Sequence, residues 1–206
     1  MSSPETSLPF RNGDRLNLTD AAILLFDSQP EGLELLAQMF AGFGVHTPHR
    51  STSSAEARQA ITDRAFNLII VSNAAASGDG YEMVEWLRRE APQPTRFTPV
   101  VLLTSHCREV DVLRGRDCGA NFVIRKPASP TVMIQRILWL SRDQRQFVET
   151  ASYCGPDRRF KNQGPPRGTK GRRSTDLSAT VSKVASGPDM RQDEIDNLLM
   201  PMKAVL

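Results

Sequence analysis

The stretch FNLIIVSNAAASGDGYEMVEWLRR, residues 66–89, decides the fold class, because it passes from a buried strand directly into an amphipathic helix. The apolar run within NLIIVS (67–72) has no alternation, as expected for a strand that is covered on both faces. SGDG then turns the chain, and GYEMVEWLRRE (80–90) has the three- and four-residue apolar spacing of a helix. This order of elements is typical of a parallel sheet with crossover helices.

The same alternation extends in both directions along residues 21–147. Further strands are predicted at 21–26, 45–47, 98–104 and 121–125, and further helices at 30–44, 53–64, 107–117 and 129–147. Five strands alternating with five helices predict an α/β domain whose parallel sheet is covered on both faces, with right-handed crossovers. Ligands of such sheets bind at the carboxyl ends of the strands, so the residues there are the candidate site.

Polar residues stand at four of these strand ends. Asp27 and Ser28 follow the first strand, Ser72 ends the third, Thr104 ends the fourth, and Lys126 follows the fifth. Because the carboxyl ends of parallel strands meet at one edge of the sheet, we expect these side chains to gather there.

Four motifs carry a resemblance: ILLFDSQP, LIIVSNAAASGDG, PVVLLTS and GANFVIRKPASP. Over residues 21–146 the chain resembles the CheY-like receiver domain of two-component response regulators. The resemblance implies a doubly wound, flavodoxin-like five-stranded sheet of order 2-1-3-4-5 and a partner histidine kinase. It also implies a site in which an acidic pair after the first strand and an aspartate ending the third hold magnesium, and that last aspartate accepts a phosphoryl group.

The sequence departs from this pattern at the acids. Ser28 replaces the second acid of the pair, and Ser72 replaces the phosphoacceptor, whereas Asp27 is retained. Magnesium requires hard oxygen ligands, mostly carboxylates, and a serine nucleophile requires an adjacent base. We therefore expect neither magnesium binding nor phosphorylation at Ser72, and we expect Lys126 to pair with Asp27.

Two further positions bear on this expectation. Val123, three residues before the lysine, replaces the aromatic residue that the resemblance places there as a phosphorylation-dependent switch. Asp79 in the following turn is the alternative, displaced acceptor, although a helix-capping role is the other interpretation of that residue. The sequence contains no P-loop, GxSxG or HExxH motif, so a non-enzymatic signalling adaptor is expected.

Composition shifts divide the chain into four parts. We predict a flexible lead at 1–20, a receiver-like domain at 21–147, a disordered linker rich in Arg, Gly and Pro at 148–188, and a short amphipathic helix within 189–206. No apolar run is long enough for a membrane helix, the first residues do not have the pattern of a secretory signal, and three scattered cysteines predict reduced thiols in the cytoplasm.

The linker contains an arginine-rich segment at 153–176 whose basic side chains suit an anionic ligand. The arginines singled out are Arg158, Arg159, Arg167, Arg172 and Arg173. Their position and composition resemble the tails of CheY-like cyclic di-GMP effectors in bacterial chemotaxis and motility networks. Nucleic acid is the competing ligand, and a solubilising linker without a ligand is the third interpretation.

The C-terminal helix has an apolar stripe formed by Ile195, Leu198 and Leu199. The segment RQDEIDNLL resembles the N-terminal segment of the flagellar switch protein FliM, which docks on chemotaxis receivers. We expect residues 192–199 to dock on a surface made by the fourth and fifth helices and the fifth strand, either of this chain or of another receiver. The alternative is a terminal helix that packs on the domain without a signalling role.

Overall fold

A computed structural model describes residues 18–73, 79–143, 145–158 and 189–199, with 79 and 197–199 described by their backbone alone. The elements of the main domain are β1 (Ile23–Phe26), α1 (Pro30–Gly42), β2 (His49–Ser51), α2 (Ser54–Asp63), β3 (Leu68–Asn73), α3 (Asp79–Arg89), β4 (Val100–Thr104), α4 (Glu109–Asp117), β5 (Phe122–Arg125) and α5 (Pro130–Leu140). A hairpin of β6 (Phe147–Glu149) and β7 (Cys154–Pro156) and a last helix, α6 (Gln192–Leu199), follow.

The main sheet has the order β2-β1-β3-β4-β5, and every neighbouring pair is parallel. This confirms the predicted doubly wound sheet of order 2-1-3-4-5. The order makes β5 an edge strand that pairs with β4 on one side only. It also brings the ends of β1 and β3 side by side, because β1 pairs directly with β3 in the middle of the sheet.

The core consists of two apolar layers, one on each face of the sheet. In β3, Leu68 and Ile70 face the layer that contains α1 and α5, whereas Ile69 and Val71 face the layer that contains α2, α3 and α4. Each of these four side chains is at most 5% exposed. The unbroken apolar run of β3 follows from this double coverage, since both faces of the strand exclude water.

The second strand lies at His49–Ser51, and the prediction of a strand at 45–47 is wrong. Val45 is buried in the core, and its backbone N–H donates to Phe40 O at 2.9 Å, so this residue closes α1. Gly44 before it adopts a φ of 89°, a left-handed conformation suited to glycine at a helix end. Val45 is thus apolar because it packs against the helix, and the chain reaches the sheet edge only after Pro48.

The last helix of the domain ends at Leu140, and its predicted extension to 147 is also wrong. The backbone N–H groups of Arg142 and Asp143 donate to Trp139 O and Leu140 O in turns at 3.0 and 3.1 Å. The Asp143 carboxylate then pairs with Arg145 at 2.7 Å. No glycine or proline marks this end, so the sequence pattern did not reveal it.

Part of the predicted linker is folded, because β6 and β7 pair antiparallel within residues 147–156. Tyr153 and Cys154 are each 6% exposed, and a Cβ added at Gly155 would lie 2.8 Å from the Cα of Gly119. The hairpin therefore packs closely on the turn between α4 and β5. Residues 159–188 of the predicted linker and residues 1–17 of the predicted lead lie outside the described residues, whereas Leu18 is 7% exposed and joins the core.

None of the helices in the described ranges combines the length and the apolar character that a membrane span requires.

Candidate functional site

The carboxylate of Asp27 lies at the carboxyl end of β1 and is 1% exposed. Its Oδ1 accepts a hydrogen bond from the backbone N–H of Gln29 at 3.0 Å. A Cβ added at Gly32 would lie only 2.4 Å from Asp27 Oδ2, so the glycine lets the first turn of α1 approach the carboxylate. Asp27 is thereby fixed in position by the start of the helix.

Lys126 connects the ends of β1, β3 and β5. Its Nζ donates to Asp27 Oδ2 at 3.1 Å and also to Ser72 Oγ. Its backbone N–H donates to Thr104 O at 2.8 Å, which ties the lysine to the end of β4. Ser72 is 1% exposed, and Ser28 is half-buried beside Asp27. The structure therefore places the strand-end residues together, with the ammonium of Lys126 already bound to the chain's own oxygens.

Thr104 is fully buried, and its hydroxyl is engaged within its own loop. The hydroxyl accepts the backbone N–H of His106 at 3.2 Å and donates to His106 O at 3.1 Å. Its role in the described structure is thus to close the turn after β4.

Tyr81 of α3 contributes an aromatic ring that sequence reasoning missed. Its hydroxyl donates to Asp111 O at 3.3 Å, and burial raises the pKa of Tyr81, an effect that the nearby Thr104 hydroxyl opposes. A Cβ added at Gly115 would lie 2.6 Å from Val123 Cγ2 and 3.8 Å from Tyr81 Cε1. The small Val123 and the ring of Tyr81 therefore border the same glycine of α4. The available signal in the sequence was the place of Tyr81 in the apolar spacing of α3.

The described side chains of this site do not fit a magnesium ion. Among them, Asp27 is the one carboxylate at the strand ends, and it already binds the Lys126 ammonium. Ser28 and Ser72 bring no negative charge, and magnesium binding relies on carboxylate oxygens. Within the described ranges, no group of three or more His, Cys, Asp or Glu side chains is placed to hold a metal. The side chain of Asp79, the alternative acceptor, lies outside the described side chains.

Of the five arginines proposed for an anion, Arg158 alone lies within the described residues. Its guanidinium lies 3.8 Å from the centre of the Tyr153 ring and pairs with the Asp117 carboxylate. Arg158 is thus anchored beside the end of α4. Arg159, Arg167, Arg172 and Arg173 lie outside the described residues.

The C-terminal helix lies on β5 and α4 of its own domain. Ile195 is fully buried in the apolar layer, whereas the side chains of Leu198 and Leu199 are not described. Two residues that sequence reasoning missed, Gln192 and Asp196, make polar contacts with β5 and α5. Their spacing of four residues was the available signal, because it places both on one face of a helix.

Comparison with known sequences identifies a family. Residues 23–138 match the response regulator receiver domain. The transcriptional regulatory protein GltR of Pseudomonas aeruginosa is 32% identical over 130 residues, which cover 62% of this chain and 51% of GltR. The phosphate regulon transcriptional regulatory protein PhoB of Escherichia coli is 38% identical over 71 residues, or 34% of this chain and 30% of PhoB. The matches therefore span about half, or less, of the length of these relatives.

Comparison with solved structures gives the same fold. The signal receiver domain of a histidine kinase from Syntrophus aciditrophicus is 27% identical, with a TM-score of 0.52 over 65% of this chain and 99% of that one. The chemotaxis protein CheY4 of Vibrio cholerae is 21% identical, with a TM-score of 0.51 over 58% of this chain and 97% of that one, a likeness that shows the fold alone.

Proposed function

The chain belongs to the response regulator receiver domain family, and we propose that it is a phosphorylation-silent member. On this proposal it is a non-catalytic cytoplasmic adaptor that acts in a bacterial two-component or motility network by binding other signalling proteins. These partners are a histidine kinase, another receiver or a flagellar component. The observation that carries the proposal is the contact of Lys126 with both Asp27 and Ser72.

The chemistry of that contact opposes phosphoryl transfer. A serine hydroxyl becomes a nucleophile when a neighbouring base removes its proton. The described neighbour of Ser72 Oγ is the Lys126 ammonium, which donates hydrogen bonds and has no lone pair to accept a proton. The remaining carboxylate, Asp27, is bound to the same ammonium and to a backbone N–H. Among the described side chains, therefore, Ser72 has no base to activate it, and no set of carboxylates is placed to hold magnesium.

Incubation of the full chain with acetyl phosphate and magnesium tests this proposal. Intact-mass spectrometry should find no phosphoryl adduct on the wild type. The double variant Ser28→Asp with Ser72→Asp restores three carboxylates and is the matched positive control; it should acquire one adduct that hydroxylamine removes, as expected for an acyl phosphate. An adduct on the wild type, mapped to Ser72 or to Asp79, would contradict the proposal.

A second proposal concerns the arginine-rich segment at 153–176, for which we infer an anionic ligand, with cyclic di-GMP favoured over nucleic acid. The supporting observation is that Arg158 is held in position by Tyr153 and Asp117, so that a ligand of the segment binds beside a rigid part of the domain. Arginine offers planar donors to phosphate and to the guanine edge. Bound ligand would compete with Asp117 for Arg158.

Calorimetric titration with cyclic di-GMP, cyclic di-AMP and a single-stranded oligonucleotide tests the ligand. A guanine-specific site should prefer cyclic di-GMP, and Arg172→Ala with Arg173→Ala should weaken binding by about tenfold or more. Asp117→Asn should tighten it, because the competing carboxylate is removed. Equal binding of all three anions, with a steep loss as salt rises, would indicate nucleic acid or non-specific contact instead.

A further inference from the structure

The outer edge of β5 is occupied by a side chain of the C-terminal helix. β5 pairs with β4 on one side, which leaves alternate backbone groups of the strand without a partner strand. Two of these groups bind Gln192: the N–H of Arg125 donates to Gln192 Oε1 at 2.8 Å, and Gln192 Nε2 donates to Val123 O at 3.3 Å. A primary amide carries the same donor and acceptor as a peptide group, so Gln192 replaces the missing strand at this point.

One helical turn further on, Ile195 enters the core. It is 0% exposed and belongs to the apolar layer that also contains Val112 of α4 and Val123 of β5. Residues three apart lie on the same face of a helix. The amide that caps the strand edge and the aliphatic side chain that fills the layer are therefore presented together by α6.

Asp196 completes the contact with a charge. Its carboxylate pairs with Arg136 of α5, a residue that is only 3% exposed. Burial lowers the pKa of Arg136 and raises that of Asp196, and the attraction between the two groups opposes both shifts. In the described part of the chain, Arg136 Nε and Nη1 have no hydrogen-bond partner. If a helix without this carboxylate were bound here, Arg136 would lose the acid with which it pairs in the described structure.

The residues that precede α6 are also fixed. The backbone N–H of Met190 donates to Cys107 O at 2.7 Å, and Asp189 Oδ1 accepts the backbone N–H of Cys107 at 3.3 Å. Arg125 Nη1 donates to Met190 O at 3.1 Å. The segment is thus held at the β4–α4 loop, along β5 and on α5, by backbone groups as well as by side chains.

We propose that α6 is an internal ligand of a recognition surface, here named the β5-edge groove, which is bounded by Cys107, Val123, Arg125 and Arg136. The groove recognises a short helix with Gln, Ile and Asp at its first, fourth and fifth positions, and α6 fills it. A partner protein binds the groove by presenting a helix of the same pattern and displacing α6. Because α6 is attached to the domain, its effective concentration is high, and it suppresses weak competitors. This inference is independent of whether Ser72 is phosphorylated.

Hydrogen exchange of the Arg125 amide, followed by NMR on the full chain, tests the internal ligand. Ile195→Asp places a charge in the apolar layer and should release α6, which should speed this exchange by about tenfold or more. Gln192→Ala leaves the apolar contacts of α6 in place and should also speed the exchange of the Arg125 amide. If Ile195→Asp speeds amide exchange in β3 as well, it has destabilised the whole domain, and the result for Gln192→Ala then decides the test. Asp193→Glu, on the exposed side of the helix, is the matched control and should leave the rate unchanged.

A synthetic peptide of residues 189–199 tests the recognition. It should bind the full-length Ile195→Asp protein about tenfold or more tightly than the wild type, whose groove is filled. The same peptide carrying Ile195→Asp should bind neither protein. Equal binding to both proteins, or an Arg125 amide that exchanges at one rate in every variant, would overturn the proposal. A wild-type rate that rises on dilution would show that the helix comes from a second copy and would overturn the internal assignment.

Discussion

Replacement of Arg88 by methionine should destabilise the domain strongly, because this arginine is a buried hydrogen-bonding centre. Arg88 lies in the last turn of α3 and is 1% exposed. Its guanidinium donates to four oxygens at 2.7–3.0 Å: Gly119 O, Arg96 O, Thr98 O and Asn121 Oδ1. It also lies 4.9 Å from the centre of the Phe147 ring of the hairpin. One side chain thus ties α3 to the starts of β4 and β5 and to β6.

The magnitude follows from the groups that methionine cannot satisfy. A buried acceptor that loses its donor costs about 1–3 kcal/mol, and three backbone carbonyls lose theirs. Asn121 Oδ1 retains the backbone N–H of Val100 at 2.9 Å. Part of this loss is offset, because methionine removes a buried cation and with it the cost of desolvating that charge. Burial lowers the pKa of Arg88 to about 10, and a shift of that size corresponds to roughly 3 kcal/mol. With about 2 kcal/mol for each carbonyl, the middle of that range, we expect a net loss of about 3 kcal/mol in the free energy of unfolding.

Urea unfolding followed by circular dichroism measures this loss. The midpoint should fall while the dependence on urea stays constant, since the surface exposed on unfolding is unchanged. Arg89→Met is the matched control: Arg89 is exposed and donates one hydrogen bond to Ser152 O, so it should change stability by less than about 1 kcal/mol. An Arg88→Met protein as stable as the Arg89→Met control would refute the reasoning.

Three further predictions concern the strand ends and the core. Gly32→Ala should lower the free energy of unfolding by more than about 1 kcal/mol in the same urea assay, because the added Cβ would lie 2.4 Å from Asp27 Oδ2. Gly42→Ala is the control: its added Cβ would have no atom within 4 Å, so the change should be neutral or stabilising by up to about 1 kcal/mol. Lys126→Met should lower the free energy of unfolding by about 1–3 kcal/mol, because the buried Asp27 carboxylate loses its cation. In a protein that already carries Asp27→Asn, the same change should lower it by less. Burial raises the pKa of Cys118 from 9.0 to about 12, so the folded protein retains a proton that the unfolded chain releases. The free energy of unfolding should therefore fall as the pH rises above 9, and Cys118→Ala should flatten that dependence; an unchanged slope would exclude this thiol as its cause.

The strand-end site was largely predictable from local pattern. Each strand of a doubly wound sheet is a short apolar run, and the residue after it lies at the carboxyl edge wherever the strand sits in the sheet. Asp27, Ser72 and Lys126 therefore meet as their positions in the sequence predicted. The pair of Lys126 with Asp27 was expected as well, and the structure confirms it. The second contact of Lys126, with Ser72 Oγ, was not expected, because the reach of the lysine depends on the relative placement of β1, β3 and β5.

The position of the second strand and the presence of the hairpin were not predictable for the same reason. The apolar Val45 follows a helix end and was therefore predicted to begin a strand. It is instead buried in the core at the end of α1, and the strand begins at His49. The hairpin strands are three residues long each and have no distinctive alternation. Their place on the domain depends on the approach of Gly155 to Gly119, a contact between distant parts of the chain.

By itself, the sequence determined that the chain forms a doubly wound sheet, that Ser28 and Ser72 stand at two of its strand ends, and that its last helix is amphipathic. Only the tertiary structure decided that Arg88 is buried and that Gln192 completes the edge of β5. The physical reason is that the periodicity of apolar residues predicts which side chains are buried. The hydrogen-bond partner of a polar group depends instead on contacts that folding makes between segments that are remote in the sequence. Arg88 and Gln192 have the sequence pattern of exposed helix residues, yet each satisfies backbone groups of the sheet or its connections.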